Sequence, residues 1–129
     1  MIVPASTPFP DNLEYGISIT AQAHYREGES FLVRGEYKIP YAEESVPKQA
    51  TLMPKHIALV VTRSGNYQAM KPFSQMVVFE DDVKDDGIYA MGHFNLNVND
   101  HIQFNGAGDY YILCSLGNYL SNIVKVTLI

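Results

Sequence analysis

Tryptophan is absent from this sequence, cysteine occurs once, and no apolar stretch approaches the ~18 residues that a membrane-spanning helix needs. A single cysteine, Cys114, excludes an internal disulfide, so the core has to hold without a covalent staple and cysteine usage names no redox compartment. Asn-x-Ser/Thr glycosylation acceptors are missing. The opening Met1-Ile2-Val3-Pro4 lacks the basic region and continuous apolar core of a signal peptide. The expected location is therefore cytoplasmic, or outside the cell by release without a classical signal peptide; a trimmed extracellular form would read the same.

An excess of positive charge is also lacking. The formal net charge is −5, and five carboxylates against one lysine between Glu80 and Asp86 account for −4 of it. The rest of the chain is close to neutral, which gives no electrostatic reason to bind nucleic acid or an anionic membrane.

What is present is a pattern of short strands. With 129 residues, 47% of them hydrophobic, the chain is long enough to bury a core of its own. Nine Tyr and six Phe suit half-buried pleated surfaces. Residues 1–14 carry Pro4, Pro8 and Pro10 and are expected to form an extended arm; residues 15–129 are expected to form one β-sandwich domain.

Ile17, Ile19, Ala21 and Ala23 alternate with polar residues, as do Phe31, Val33, Gly35, Tyr37 and Ile39 up to Pro40. Both segments have the period of a strand with one wet face. Tyr41 to Lys55 reads as loop. Ile57 to Val61 is a continuous apolar run, expected in a central strand, and Ser64-Gly65-Asn66 marks a turn. Met76 to Phe79 and Ile88 to Met91 are short strand candidates, with a bend or bulge expected at Gly92. Phe94, Leu96 and Val98 alternate with Asn95, Asn97 and Asn99, which predicts another one-sided strand. Arg34, Glu36 and Lys38 read as an ordinary solvated face. Tyr110, Ile112 and Cys114 share a face, a Gly117-Asn118 turn follows, and Val124, Val126 and Leu128 share the next.

The run Ala107-Gly108-x-Tyr110-x-Ile112-x-Cys114 resembles the penultimate strand of immunoglobulin-like sandwiches. Where the antibody pattern places a Tyr two residues before its cysteine, this chain has Ile112, with Tyr110 one step earlier on the same face. With no partner cysteine and no core tryptophan, the resemblance is to the broader sandwich class. It implies an all-β, antiparallel Greek-key β-sandwich, immunoglobulin-like, of seven to nine strands. Fold resemblance carries no function by itself.

Four groups of residues bear on chemistry. Cys114 could serve as a nucleophile, but its inward place on a core strand favours a small hydrophobe. A blue-copper site fails because neither His nor Met follows Cys114. His24, His56, His93 and His101 show no paired metal spacing and read as scattered surface or edge histidines. Glu80, Asp81, Asp82, Asp85 and Asp86 offer hard oxygen ligands for Ca2+, although they do not fit an EF-hand loop; a solvated acidic loop is the competing reading. Tyr41, Tyr67 and Tyr119 lie near strand ends, where exposed rings stack on sugars or anchor interfaces.

The functional expectation is a non-enzymatic binding or assembly module acting through a protein partner or its own copies, with no required cofactor. The alternative is a carbohydrate- or Ca2+-dependent, lectin-like domain using the 80–86 acidic loop and the loop tyrosines. Cys114-based chemistry is a distant third.

Overall fold

The computed structural model describes residues 15–26, 28–42, 45–48, 52–63, 68–76, 78–80, 84–85, 87–104 and 106–129, with backbone alone at Gln68, Phe79, Glu80, Lys84 and Asp85. The expected Pro-rich arm, the 64–66 turn, Tyr67, Asp81, Asp82 and Asp86 lie outside the described residues.

Strands dominate, as the alternating pattern predicts. In chain order they are β1 (Gly16–Ala21), β2 (His24–Tyr25), β3 (Leu32–Pro40), β4 (Ile57–Arg63), β5 (Gln68–Pro72), β6 (Phe79–Glu80), β7 (Lys84–Asp85), β8 (Tyr89–Asn97), β9 (Gly108–Leu116), β10 (Tyr119–Leu120) and β11 (Val124–Leu128). Seven have five or more residues and four have two, and the only helical elements among the described residues are single 3-10 turns. One sheet runs β1-β3-β8-β6, with β7 also on β8; the other runs β2-β11-β9-β4-β5, with β10 folded back on β9.

The inward positions of both sheets feed one core. β1 contributes Ile17 and Ile19, β3 contributes Val33, Tyr37 and Ile39, β4 contributes Ile57, Leu59 and Val61, and β9 contributes Tyr110, Ile112, Cys114 and Leu116. This is the layering of a β-sandwich. With no tryptophan to fill the space between the sheets, rings stack in series: Tyr25 on Phe31 at 4.3 Å, Phe31 on Phe104 at 5.2 Å, and Phe104 edge-on to Tyr110 at 4.8 Å.

Four expectations need correction. The sheets are not wholly antiparallel, because β2 pairs parallel with β11, Thr127 opposite His24 and Leu128 opposite Tyr25. The chain leaves the first sheet after Ala21 and continues in the same direction onto the edge of the second, so Ala23 is exposed rather than a continuation of β1. Gly92 is neither bend nor bulge. β8 runs unbroken from Tyr89 to Asn97, and Gly92 is paired with Tyr37, whose ring covers it. Finally, the polar face of β8 is not wet: Asn95 is 1% and Asn97 7% exposed. β8 lies inside its sheet, between β3 on one side and β6 with β7 on the other, and Asn97 turns its amide oxygen to Phe31 N at 2.8 Å.

Side chains complete the backbone pairing at two margins. Asn122 accepts from Ile19 N at 2.8 Å and donates to Ile19 O at 2.9 Å, so a side-chain amide pairs the free edge of β1 as a neighbouring strand would. Tyr110 donates its hydroxyl to Gly106 O at 2.7 Å, four residues upstream at the entry of β9, and the Arg63 guanidinium lies 5.4 Å from the centre of its ring.

Candidate functional site

The outer face of the first sheet carries a small polar cleft, and the register of three strands builds it. Ser18 on β1 stands opposite Glu36 on β3, which stands opposite His93 on β8. One step along, Thr20 stands opposite Arg34, which stands opposite Asn95. In an antiparallel sheet, opposed residues project to the same side, so these two rows put six polar side chains next to one another. They line a cavity of about 250 Å³ together with Gly35 and Phe94. The last two occupy core-facing positions on their strands, so they reach the outer face as backbone.

Asn95 is the unusual member. It is almost fully buried, yet among the described residues neither its amide nitrogen nor its amide oxygen has a hydrogen-bond partner. A buried polar group left in that state costs about 1–3 kcal/mol. Two other buried polar side chains, by contrast, are occupied: Asn97 accepts from Phe31 N at 2.8 Å, and Ser121 accepts from Cys114 N at 2.8 Å while donating to Asn122 O at 2.8 Å. A complementary polar group taken into the cleft would satisfy the Asn95 donor and acceptor together.

The walls are electrostatically balanced. Glu36 Oε2 lies 3.7 Å from His93 Nε2, within ion-pair range but beyond a hydrogen bond. Partial burial raises the Glu36 carboxyl above its ordinary value, and the nearby His93 offsets this in part. Arg34 supplies the opposite charge beside it on the same strand. Glu36 and His93 therefore depart from the expected solvated face and scattered surface histidine.

A second hollow, wider and more open at about 720 Å³, lies where the 98–107 connection meets Gly28, Ser30 and Leu128. Its buried amide, Asn97, is already satisfied by Phe31 and by Asn99 N at 3.3 Å.

The residues singled out by sequence fall elsewhere. Cys114 is fully buried in the centre of the second sheet, opposite Leu59 on β4, and burial pushes its thiol up to about 12. Tyr41 and Tyr119 are half-buried against the core, Tyr119 meeting the Tyr15 ring edge-on at 6.4 Å. Of the acidic run, Glu80 and Asp85 are placed as backbone in β6 and β7, paired with Phe94 and Ala90. Among the described residues no group of three or more His, Cys, Asp or Glu could hold a metal ion, and no helix is long and apolar enough to cross a membrane.

Sequence reasoning missed Asn95 and His93. The available signal was three asparagines alternating along a strand, a residue type that strands disfavour on grounds of propensity alone. No protein-family model and no curated protein matches the chain.

Proposed function

We propose that this protein is a non-enzymatic, immunoglobulin-like β-sandwich module that binds a polar group of its ligand in the cleft between Ser18, Arg34 and Asn95. The observation that carries this reading is the buried Asn95 amide, unmatched in both its donor and its acceptor, at a cavity open to solvent.

The immunoglobulin-like part is supported by strand order. β1-β3-β8-β6 and β4-β9-β11 follow the A-B-E-D and C-F-G sheets of that Greek-key arrangement, with β5 beside β4 where the variable type adds a strand. The Tyr110 hydroxyl bonded to Gly106 O is placed like the tyrosine corner of such domains. The non-enzymatic part is supported by the inaccessible Cys114 thiol, which sits on the sheet opposite to the one carrying His93.

The test is a set of 1H–15N correlation spectra of the full chain, titrated with a mixed set of small neutral, anionic and cationic polar compounds. Shifts concentrated at Ser18, Thr20, Glu36, His93 and Asn95, and lost in Asn95→Leu, are expected. Hits confined to other surfaces, or retained in Asn95→Leu, sink the cleft as the binding site.

A second reading, association with a protein or with a second copy, is favoured by large apolar side chains in solvent close to one margin. Tyr15, Leu120 and Ile123 are 56%, 68% and 64% exposed, flanking the Asn122 clasp on β1. Sedimentation velocity at high micromolar concentration should reveal a dimer or larger species; a strict monomer removes self-association.

A further inference from the structure

We propose, building on the cleft reading above, that the group accommodated there is a single neutral polyhydroxylated unit, a sugar residue, held by hydrogen bonds with Asn95, Ser18, Thr20 and Glu36. Three observations select this chemistry.

Charge comes first. The walls carry one guanidinium, Arg34, and one carboxylate, Glu36, on the same strand two residues apart. Their sum is about zero, so a ligand of either net charge meets as much repulsion as attraction.

Donor and acceptor capacity comes second. Asn95 presents an NH2 donor and a carbonyl acceptor, Ser18 and Thr20 present hydroxyls that do both, Arg34 donates, the His93 ring nitrogens can do either, and Glu36 accepts. A carboxylate can only accept and an ammonium can only donate, so each would leave part of this set unmatched. A primary carboxamide would satisfy Asn95 but has no further groups for Ser18, Thr20 and Glu36. Adjacent hydroxyls on a ring each donate and accept, and they match the whole set.

Size comes third. A cavity of about 250 Å³ lies just below the ~300–1,000 Å³ of pockets that enclose drug-sized ligands, which restricts the occupant to one small ring.

Isothermal titration and 1H–15N shift mapping of the full chain would test this. The probes are D-glucose, D-galactose and D-mannose, their methyl glycosides, and acetamide, sodium acetate and methylammonium chloride as controls. At least one sugar is expected to bind with Kd near ~1 mM or tighter, with shifts at Ser18, Thr20 and Asn95. Binding of the free sugar alone assigns a free sugar as ligand, whereas equal binding of the methyl glycoside assigns the end of a glycan chain. Asn95→Leu is expected to weaken binding at least about tenfold while raising the denaturant midpoint, because it removes an unmatched buried amide. Ser18→Ala, at a half-buried position, repeats the binding arm should Asn95→Leu fail to fold. Acetamide or an ion binding at these residues in place of the sugars would overturn the sugar assignment and leave the cleft standing. No response from any probe up to about 10 mM, together with a lowered midpoint in Asn95→Leu, would overturn both.

Discussion

The ring of Phe94 fills the place where a side chain on Gly35 would begin: an ideal Cβ there would lie within 2.6 Å of both ring Cε atoms. Two residues along the same ladder the relation is reversed, Tyr37 of β3 covering Gly92 of β8, with Tyr37 Cζ 2.5 Å from the corresponding position. Each strand of the central pair gives up one side chain so that the other can lay an aromatic ring flat over its backbone. The Gly35 backbone beneath the Phe94 ring also lines the cleft, so packing on the inner face bears on the site on the outer face.

Gly35→Ala and Gly92→Ala should each destabilise the protein by about 1–3 kcal/mol, the usual cost of overpacking a core. Denaturant unfolding measures it through the midpoint. Gly35→Ala combined with Phe94→Leu should lose less than the two single changes added together, because the smaller side chain gives the new methyl room. Strict additivity would show that ring and glycine are not in contact.

Cys114 should be inert in the folded protein. Its side chain is fully buried and its thiol pushed up to about 12, so almost no thiolate exists at neutral pH. Modification by Ellman's reagent should be slow in buffer and rapid in urea. A native rate like that of a free thiol would place Cys114 at the surface.

Asn122→Ala should cost about 1–3 kcal/mol, two hydrogen bonds at the ordinary net value of about 0.5–1.5 kcal/mol each. The loss should appear in hydrogen exchange as faster exchange of the Ile19 amide, the donor to Asn122 Oδ1. Unchanged protection at Ile19 would show that the side chain does not pair the edge.

Glu36 gives a pH dependence of definite sign. Its folded value is raised, chiefly by burial, so the folded state holds the proton more tightly than the unfolded chain. The stabilising contribution is therefore complete below the ordinary glutamate value of about 4.3 and is lost as pH rises through the folded value. Relative to Glu36→Gln, wild type should lose stability across that interval and run parallel to the variant above it. A difference that grows in wild type's favour with rising pH would contradict the burial of this carboxyl.

The legible part of the fold was its alternation. Phe31, Val33, Tyr37 and Ile39 are buried as their spacing predicts, and Tyr110, Ile112 and Cys114 form the centre of the second sheet. That reading depends only on a residue's own strand. The site was not legible because it depends on which strands become neighbours: Ser18, Glu36 and His93 are separated by 18 and 57 positions in sequence and meet only through register. The polarity of Asn95 suggested solvent, whereas its side chain is buried.

The parallel pairing of β2 with β11 has a mechanical meaning. Thr127 N bonds to Ala23 O at 2.8 Å and Ile129 N to Tyr25 O at 2.9 Å, in a ladder whose strands run the same way. Tension applied between Gly16 and Ile129 would load both bonds lengthwise and together, as a shear clasp, instead of peeling them one after the other. Under load the barrier to unfolding, and not the equilibrium stability, sets survival. This two-residue contact is therefore expected to contribute more to endurance under pulling force than to the melting temperature, an outcome that force spectroscopy on Thr127→Pro, which deletes one of the two donors, would register directly.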